Sequence, residues 1–165
     1  MGKVVLRLAK DISTDEIYPG RFMATVLPSE TPQFCFNDRT EFNAQLKTKA
    51  IPAGSVIVAD ENFGCGSSRE QATSAIKGHE LVVVAKSIAR IFLQNSINLG
   101  LNLIICPTIE ASEGDEVEAI PGKVINRTTG KEFATVLLPP ARQAIIDAGG
   151  LIPFARKKML ALSPR

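Results

Sequence analysis

The sequence predicts an α/β domain that contains a parallel βαβαβ unit and a β-rich rim. Apolar runs typical of strands alternate with helical patterns in the middle of the chain, and shorter strand-like segments follow them. Hydrophobic residues make up 45% of the 165 positions and charged residues 22%, which is the balance of a folded globular domain and not of a disordered chain. This length fits one domain better than two.

The first part of the chain combines one strand with a long irregular segment. Residues 3–9 (KVVLRLA) alternate in polarity and are predicted to form the first strand. No clean period follows for more than thirty residues. Long irregular segments in compact domains are usually functional or mobile, so we expect residues 22–45 to form a loop on the substrate or partner side, with a short helix near 38–47.

The middle of the chain alternates three predicted strands with two predicted helices. In chain order these segments are 55–60, 68–78, 81–85, 87–100 and 101–106. Gly78 and Gly100 end the two helices, and Ser87 is the expected N-cap of the second. That second helix should turn one face to the core, with Ile88, Ile91, Phe92 and Leu99. Parallel strands joined in this way form right-handed crossovers.

In the last third of the chain the alternation of strands and helices gives way to consecutive strand-like stretches and then to helical ones. The stretches EGDEVEAI and KVINRTTGKEFATVLL are predicted to be strands around a turn at TTGK. PPARQAIIDAGG has prolines at its start and glycines at its end, as a short helix would. LIPFARKKML is predicted to be a final helix or tail.

Charge and cysteine usage exclude several classes of protein. The net charge is only +2 and no basic stripe stands out, so a nucleic-acid partner is not expected. The spacing of Cys35, Cys65 and Cys106 fits neither a disulfide framework nor a metal knuckle, and no metal site is predicted. With no apolar run that approaches a membrane span, we expect a soluble cytoplasmic protein.

The stretch ENFGCGSSREQA, residues 61–72, is the candidate functional loop. It lies between a predicted strand and a predicted helix, which is where open α/β sheets bind ligands. Gly64 and Gly66 would let a ligand approach main-chain N–H groups, and a helix start stabilises an anion. Arg69 in the first helical turn opposes the helix dipole, which suggests a nearby carboxylate ligand.

A structural interpretation of the same loop stays open. Ser67 and Glu70 have the spacing of a capping box, and Ser68 could cap the helix equally well. A dinucleotide fingerprint is excluded because Arg69 stands where its third glycine belongs, and neither a nucleophile elbow nor a phosphate-loop motif is present. Cys65, without clustered partners, is interpreted as a small packed residue.

Four stretches together resemble the 3-isopropylmalate dehydratase small-subunit family of the aconitase superfamily: DISTDEIYPGRF, VADENFGCGSSREQA, AKSIARIFLQNSINLGL and AGGL. The resemblance covers nearly the whole chain in family order. It implies that residues 1–165 form a single aconitase-type swivel domain, a β/β/α sandwich. It also implies a large partner subunit that carries a [4Fe–4S] cluster, with no cofactor on this chain, in a heterodimer or heterotetramer.

The resemblance further implies the dehydration and rehydration of a small hydroxy-dicarboxylate, with hydroxyl and hydrogen exchanged, as in leucine biosynthesis. By the family's motif Ser67 is the catalytic base, acting as an alkoxide, while Ser68 and Arg69 hold a substrate carboxylate. The N–H groups of the loop backbone, around Gly64, Cys65 and Gly66, and the helix start would stabilise the alkoxide.

Two departures from the family pattern bear on specificity. Gln71 replaces the histidine that commonly follows S-S-R-E, as it does in some members related to homoaconitase. The specificity loop, Phe22, Met23, Ala24 and Thr25, lacks the arginine that homoaconitase-like members place at the position of Ala24. A hydrophobic branch on the substrate is therefore expected.

Other functions stay open beside isopropylmalate isomerisation. A related dehydratase of the homoaconitase, dimethylmalate or citramalate type is one of them. A carboxylate-binding module without catalytic activity is the other.

Overall fold

The computed structural model describes residues 1–162 and contains one seven-stranded sheet. Its strands are β1 Gly2–Leu8, β2 Val56–Ala59, β3 Val82–Ala85, β4 Leu103–Ile105, β5 Glu116–Ile120, β6 Lys123–Asn126 and β7 Glu132–Ala134. The spatial order is β4-β3-β2-β1-β5-β6-β7. Strands β1 to β4 pair in parallel and β5 to β7 pair antiparallel, which confirms the predicted parallel unit and its β-rich rim.

Six α-helices and two 3-10 turns complete the described chain. The helices are α1 Thr14–Ile17, α2 Thr40–Lys47, α3 Glu70–Gly78, α4 Arg90–Leu99, α5 Pro140–Asp147 and α6 Leu151–Leu162. The 3-10 turns, Gly20–Phe22 and Thr31–Phe34, lie in the long irregular segment. The helices predicted in the middle and at the end of the chain are therefore confirmed.

The sheet is curled, because its two ends approach each other. After β7 the chain forms a single bridge with β4, in which the Val136 N–H donates to the Ile105 carbonyl at 2.8 Å. A bulge in β1 lies between Val4 and Leu6 and places these two residues in different cores, although residues two apart on a regular strand share a face. One core lies between the sheet and the helices, and the other consists mostly of sheet valines.

Two predictions for the second crossover helix are wrong. Helix α4 begins at Arg90 and its N-cap is Ala89, which makes no side-chain cap. Ser87 instead accepts a hydrogen bond from the Asn62 N–H at 2.8 Å, which ties it to the neighbouring loop and keeps the chain extended up to the helix. Ile91 is 42% exposed, since the core side of α4 lies around Phe92. Gly100 follows the end of the helix, as predicted, and it is in the left-handed conformation.

The parallel strands bring two loops to one edge of the sheet. Strand β1 leads into residues 11–18, and its neighbour β2 leads into residues 60–69 before α3 begins. The carboxyl ends of adjacent parallel strands lie at the same edge, so these loops meet there. That edge holds the candidate site.

Gly64 is required by both backbone conformation and space. Its φ is +79°, and an added Cβ would lie 2.2 Å from the Phe92 ring. Gly54 is a matched control, because its φ is +80° but no described atom lies within 4 Å of an added Cβ. We expect Gly54→Ala to cost about 1–2 kcal/mol of unfolding free energy and Gly64→Ala about 1–3 kcal/mol more.

Urea denaturation of both glycine variants measures this difference. Equal losses would show that Phe92 yields easily and that only the positive φ matters at Gly64.

Candidate active site

Residues 11–18 hold the glycine–serine loop through its backbone. The Ile12 carbonyl accepts hydrogen bonds from the N–H groups of Gly64 (2.7 Å) and Cys65 (3.1 Å). The Thr14 N–H donates to the Cys65 carbonyl at 2.8 Å, and the Thr14 hydroxyl donates to the Ser67 carbonyl at 3.2 Å. The expectation that the N–H groups of Gly64 and Cys65 are free for an alkoxide is therefore wrong, because the first loop uses them.

The capping interpretation of the two serines is also wrong. Helix α3 begins at Glu70, and its N-cap is Arg69, with an extended backbone and no side-chain cap. A capping box forms instead between Ser13 and Glu16 at the start of α1, where the Ser13 hydroxyl accepts the Glu16 N–H at 3.1 Å. Ser67 and Ser68 precede the N-cap, so their hydroxyls are not used to start the helix.

Ser67 is exposed at the N-terminal end of α3. Its hydroxyl lies 3.4 Å from the hydroxyl of the buried Thr14. In the chain up to residue 162, no acceptor pairs with the backbone N–H groups of residues 66–71. These N–H groups and the helix dipole favour negative charge at this position. The arrangement can therefore stabilise an oxyanion once water is kept away from it.

Arg69 is held beside this helix start with part of its donor capacity unused. Its side chain is only 16% exposed, and its Nη1 donates to the Asp15 carboxylate and to the Tyr18 carbonyl (2.9 Å). The Nε of Arg69 is buried and has no partner among the described residues. A guanidinium has five N–H donors, so a planar acceptor can still bind this side chain.

Asp15 is the anionic partner of Arg69. The hydrogen bond from Arg69 and, secondly, the Gly20 N–H at 2.9 Å hold the pKa of the Asp15 carboxyl below its usual value. The carboxyl is therefore ionised at neutral pH and partly balances the guanidinium charge.

Ser68 lies on the exposed side of the loop. Its carbonyl accepts a hydrogen bond from the Asn95 side chain at 3.4 Å, which links the loop to α4. Ser67, Ser68 and Arg69 are thus brought together at one end of α3.

The predicted specificity loop, residues 22–25, lies beside the same helix end. Phe22 stacks on Phe34 at 4.1 Å between ring centroids and packs against the core, so its ring is already committed to the fold. Met23 is 47% exposed and Ala24 is also exposed. The Gln71 side chain donates to the Met23 carbonyl at 3.4 Å. The residue that departs from the family pattern thus contacts the loop.

The three cysteines, all within the described residues, do not form a metal site. No group of three or more His, Cys, Asp or Glu residues within the described chain could hold a metal ion. Cys35 and Cys106 are buried, and burial raises the pKa of both thiols. Cys65 is half-buried and its thiol donates to the Asp11 carbonyl at 3.4 Å. These residues therefore do not fit an iron–sulfur cluster.

The helices of residues 1–162 include none with the length and apolar character needed to span a bilayer.

Sequence reasoning missed the roles of Thr14, Asp15 and Tyr18 in this site. All three lie in the stretch DISTDEIY, which carries polar residues directly after the first strand. The position of that stretch at the same sheet edge as the glycine–serine loop is the signal that could have identified them.

Comparison with known proteins defines the class of this domain. Residues 31–108 match the aconitase C-terminal domain family. A crystal structure of 3-isopropylmalate dehydratase from Methanocaldococcus jannaschii superposes with a TM-score of 0.85 at 38% identity, covering 96% of this chain and 95% of that one. The fold is therefore the aconitase-type swivel domain.

Curated relatives identify the family more narrowly. A 3-isopropylmalate dehydratase small subunit from Heliobacterium modesticaldum is 42% identical over 160 residues, 94% of each chain. A 2,3-dimethylmalate dehydratase small subunit from Eubacterium barkeri is 41% identical over 155 residues, 91% of this chain and 93% of that one. The chain belongs to the family of 3-isopropylmalate dehydratase small subunits.

Ser13, which caps α1, and Ser68, which was expected to be a possible cap of α3, give a test of the capping assignment. We expect Ser13→Ala to lower the free energy of unfolding by about 0.5–2 kcal/mol, because it removes a helix cap. Ser68→Ala should change it by less than about 0.5 kcal/mol, because the Ser68 hydroxyl is exposed and caps nothing. Denaturant unfolding of the two variants measures both values, and a larger loss for Ser68→Ala would restore the capping interpretation.

Proposed function

We propose that this chain is the small subunit of a heteromeric hydro-lyase that interconverts 2-isopropylmalate and 3-isopropylmalate in leucine biosynthesis. The family membership supports this activity and the need for a large subunit. The proposed complex is a heterodimer or heterotetramer in the cytoplasm. Residues 1–165 form one swivel domain in this proposal.

One observation carries the proposal at the level of chemistry. An exposed serine hydroxyl stands at a helix N-terminus, beside a largely buried arginine with unused donors. A carboxylate bound to the accessible Nη2 of Arg69 would bring the substrate to Ser67.

Ser67 is the proposed base for the proton on the carbon next to a substrate carboxylate. As an alkoxide it takes that proton during dehydration and returns a proton to the neighbouring carbon during rehydration. The N–H groups at the start of α3, which have no acceptor within residues 1–162, and the α3 dipole favour the negative oxygen. An exposed alkoxide is not stable in water, so the large subunit must cover Ser67 before it can act.

Ser68 and Arg69 are the proposed carboxylate-binding residues. Arginine offers a planar fork that fits a carboxylate through two parallel bonds. The Nη2 group suits this contact, because it is neither buried nor hydrogen-bonded among the described residues, while Nη1 stays on Asp15 and Tyr18. Asp15 then keeps the guanidinium in position while the substrate binds.

The [4Fe–4S] cluster of the reaction is proposed to belong to the large subunit, because the cysteines of this chain do not fit one. This chain would then contribute the proton-transfer group, one carboxylate contact and the loop that meets the substrate's variable branch.

The specificity loop favours an apolar branch on the substrate. Met23 and Ala24 are exposed beside α3, whereas the nearest loop cation, Arg21, is paired with Asp38 and lies over the Phe22 ring. A third carboxylate, as in homoaconitate, would find no free cation in this loop. The 41% identity to a 2,3-dimethylmalate dehydratase small subunit supports dimethylmalate as a second candidate substrate. Citramalate also has a small apolar branch.

Reconstitution with a cluster-bearing large subunit tests the proposal. The wild-type complex should turn over 3-isopropylmalate faster than homoaconitate. We expect Ser67→Ala to reduce kcat by at least about 10²–10⁴-fold, the usual contribution of a general base, with substrate binding largely retained. Ser68→Ala should instead weaken substrate binding with a smaller effect on kcat, because Ser68 is proposed to hold a carboxylate and not to move a proton.

Near-normal turnover by Ser67→Ala would remove this serine from the base role. Tight dicarboxylate binding by the chain alone, with no dehydratase activity in any complex, would favour a carboxylate-binding module.

Arg69→Lys tests carboxylate recognition. Lysine keeps the charge but cannot make the planar two-point contact, so substrate affinity should fall by roughly 10- to 100-fold. Isothermal calorimetry with the reconstituted complex and 3-isopropylmalate measures this change. Unchanged affinity would show that Arg69 serves only the contact with Asp15.

A further inference from the structure

Tyr18 joins the two parts of the candidate site. It is fully buried directly after α1, and it is the only tyrosine of the chain, which has no tryptophan. Its carbonyl accepts the Arg69 Nη1 hydrogen bond at 2.9 Å. The backbone of this residue therefore helps to position the guanidinium.

The side chain of the same residue holds the specificity loop. The Tyr18 hydroxyl lies 3.1 Å from the Phe22 carbonyl and 3.3 Å from the Thr25 carbonyl, at the two ends of the loop. The Tyr18 ring meets the edge of Phe34 at 6.1 Å, and Phe34 in turn stacks on Phe22. Both the hydroxyl and the ring thus fix where residues 22–25 lie.

A buried tyrosine hydroxyl needs one acceptor, so one carbonyl would satisfy a purely structural role. Here two carbonyls three positions apart share it, and they frame the exposed Met23 and Ala24. The backbone of one rigid residue therefore contacts the carboxylate-binding arginine while its side chain holds the loop beside it.

We propose that Tyr18 is a positioning residue for substrate selection, which fixes the distance between the Arg69 guanidinium and the loop that meets the substrate's branch. This inference rests on the proposed function. With this distance fixed, the substrate's branch contacts Met23 and Ala24 only if it has the right size and if the substrate carboxylate is bound to Arg69. If the Tyr18 hydroxyl is removed, residues 22–25 lose these two hydrogen bonds. The hydrogen bond from Arg69 to the Tyr18 carbonyl is kept.

Tyr18→Phe in the reconstituted complex tests the proposal, because it keeps the ring and removes the hydroxyl. We expect the ratio of kcat/KM for 3-isopropylmalate to that for 2,3-dimethylmalate to change by about 3- to 10-fold, from a change in KM with kcat nearly constant. Thr73→Val is the matched control, since the Thr73 hydroxyl is buried and has no partner among the described residues. That control should leave the ratio unchanged.

A second readout uses the isolated chain and needs no activity. The amides of Phe22, Met23 and Thr25 are hydrogen-bonded within this segment, so their hydrogen exchange is measurable. We expect Tyr18→Phe to speed their exchange by about 3- to 10-fold relative to wild type, with no change in the amides of β2 and β3. Thr73→Val should not affect the loop amides.

The possible outcomes separate the two proposals. If the wild-type complex turns over no hydroxy-diacid, the proposed function fails, and loop exchange alone decides whether Tyr18 holds the loop. An active wild-type complex with an unchanged ratio in Tyr18→Phe would overturn the inference. So would equal effects of Tyr18→Phe and Thr73→Val, or unchanged loop exchange.

Discussion

The Ile12 carbonyl, which accepts the N–H groups of both Gly64 and Cys65, is the interaction on which the site depends. It joins the loops that follow β1 and β2, and it fixes the backbone that leads to Ser67. The contact between the two loops continues through Thr14, which bonds to the Ser67 carbonyl. It ends at Arg69, which donates to Asp15 and to Tyr18. Because residues 12–18 hold the glycine–serine loop in place, Ser67 and Ser68 are not needed to cap helix α3. Both residues therefore stay exposed.

Most of the fold was predictable, because the patterns that specify its strands and helices lie within short stretches of the sequence. Strands β2 and β3 are β-branched apolar runs, and the helices between the parallel strands end at Gly78 and Gly100 as predicted. The bulge in β1 and the bridge between Ile105 and Val136 were not predictable, because both arise from pairing between distant segments. The exposure of Ile91 has the same origin, since tertiary packing decides which face of α4 is buried.

The site shows where sequence patterns stop being informative. The chain contains S-x-x-E at residues 13–16 and at residues 67–70, and only the first forms a capping box. The motif alone cannot distinguish them, because the start of α3 is set by hydrogen bonds from another segment. The resemblance of the serine–arginine stretch to a known family indicated the candidate site, but the partners of Arg69 became visible only in three dimensions.

The bridge between the end of the β-rich rim and β4 also limits how another polypeptide can be recognised. Exposed sheet edges commonly recruit partners by adding a strand. Here the Val136 N–H already occupies the Ile105 carbonyl at the end of the outer strand β4, so this acceptor is not available for an added strand. A polypeptide that added a strand along β4 would therefore first have to displace the contact between Val136 and Ile105.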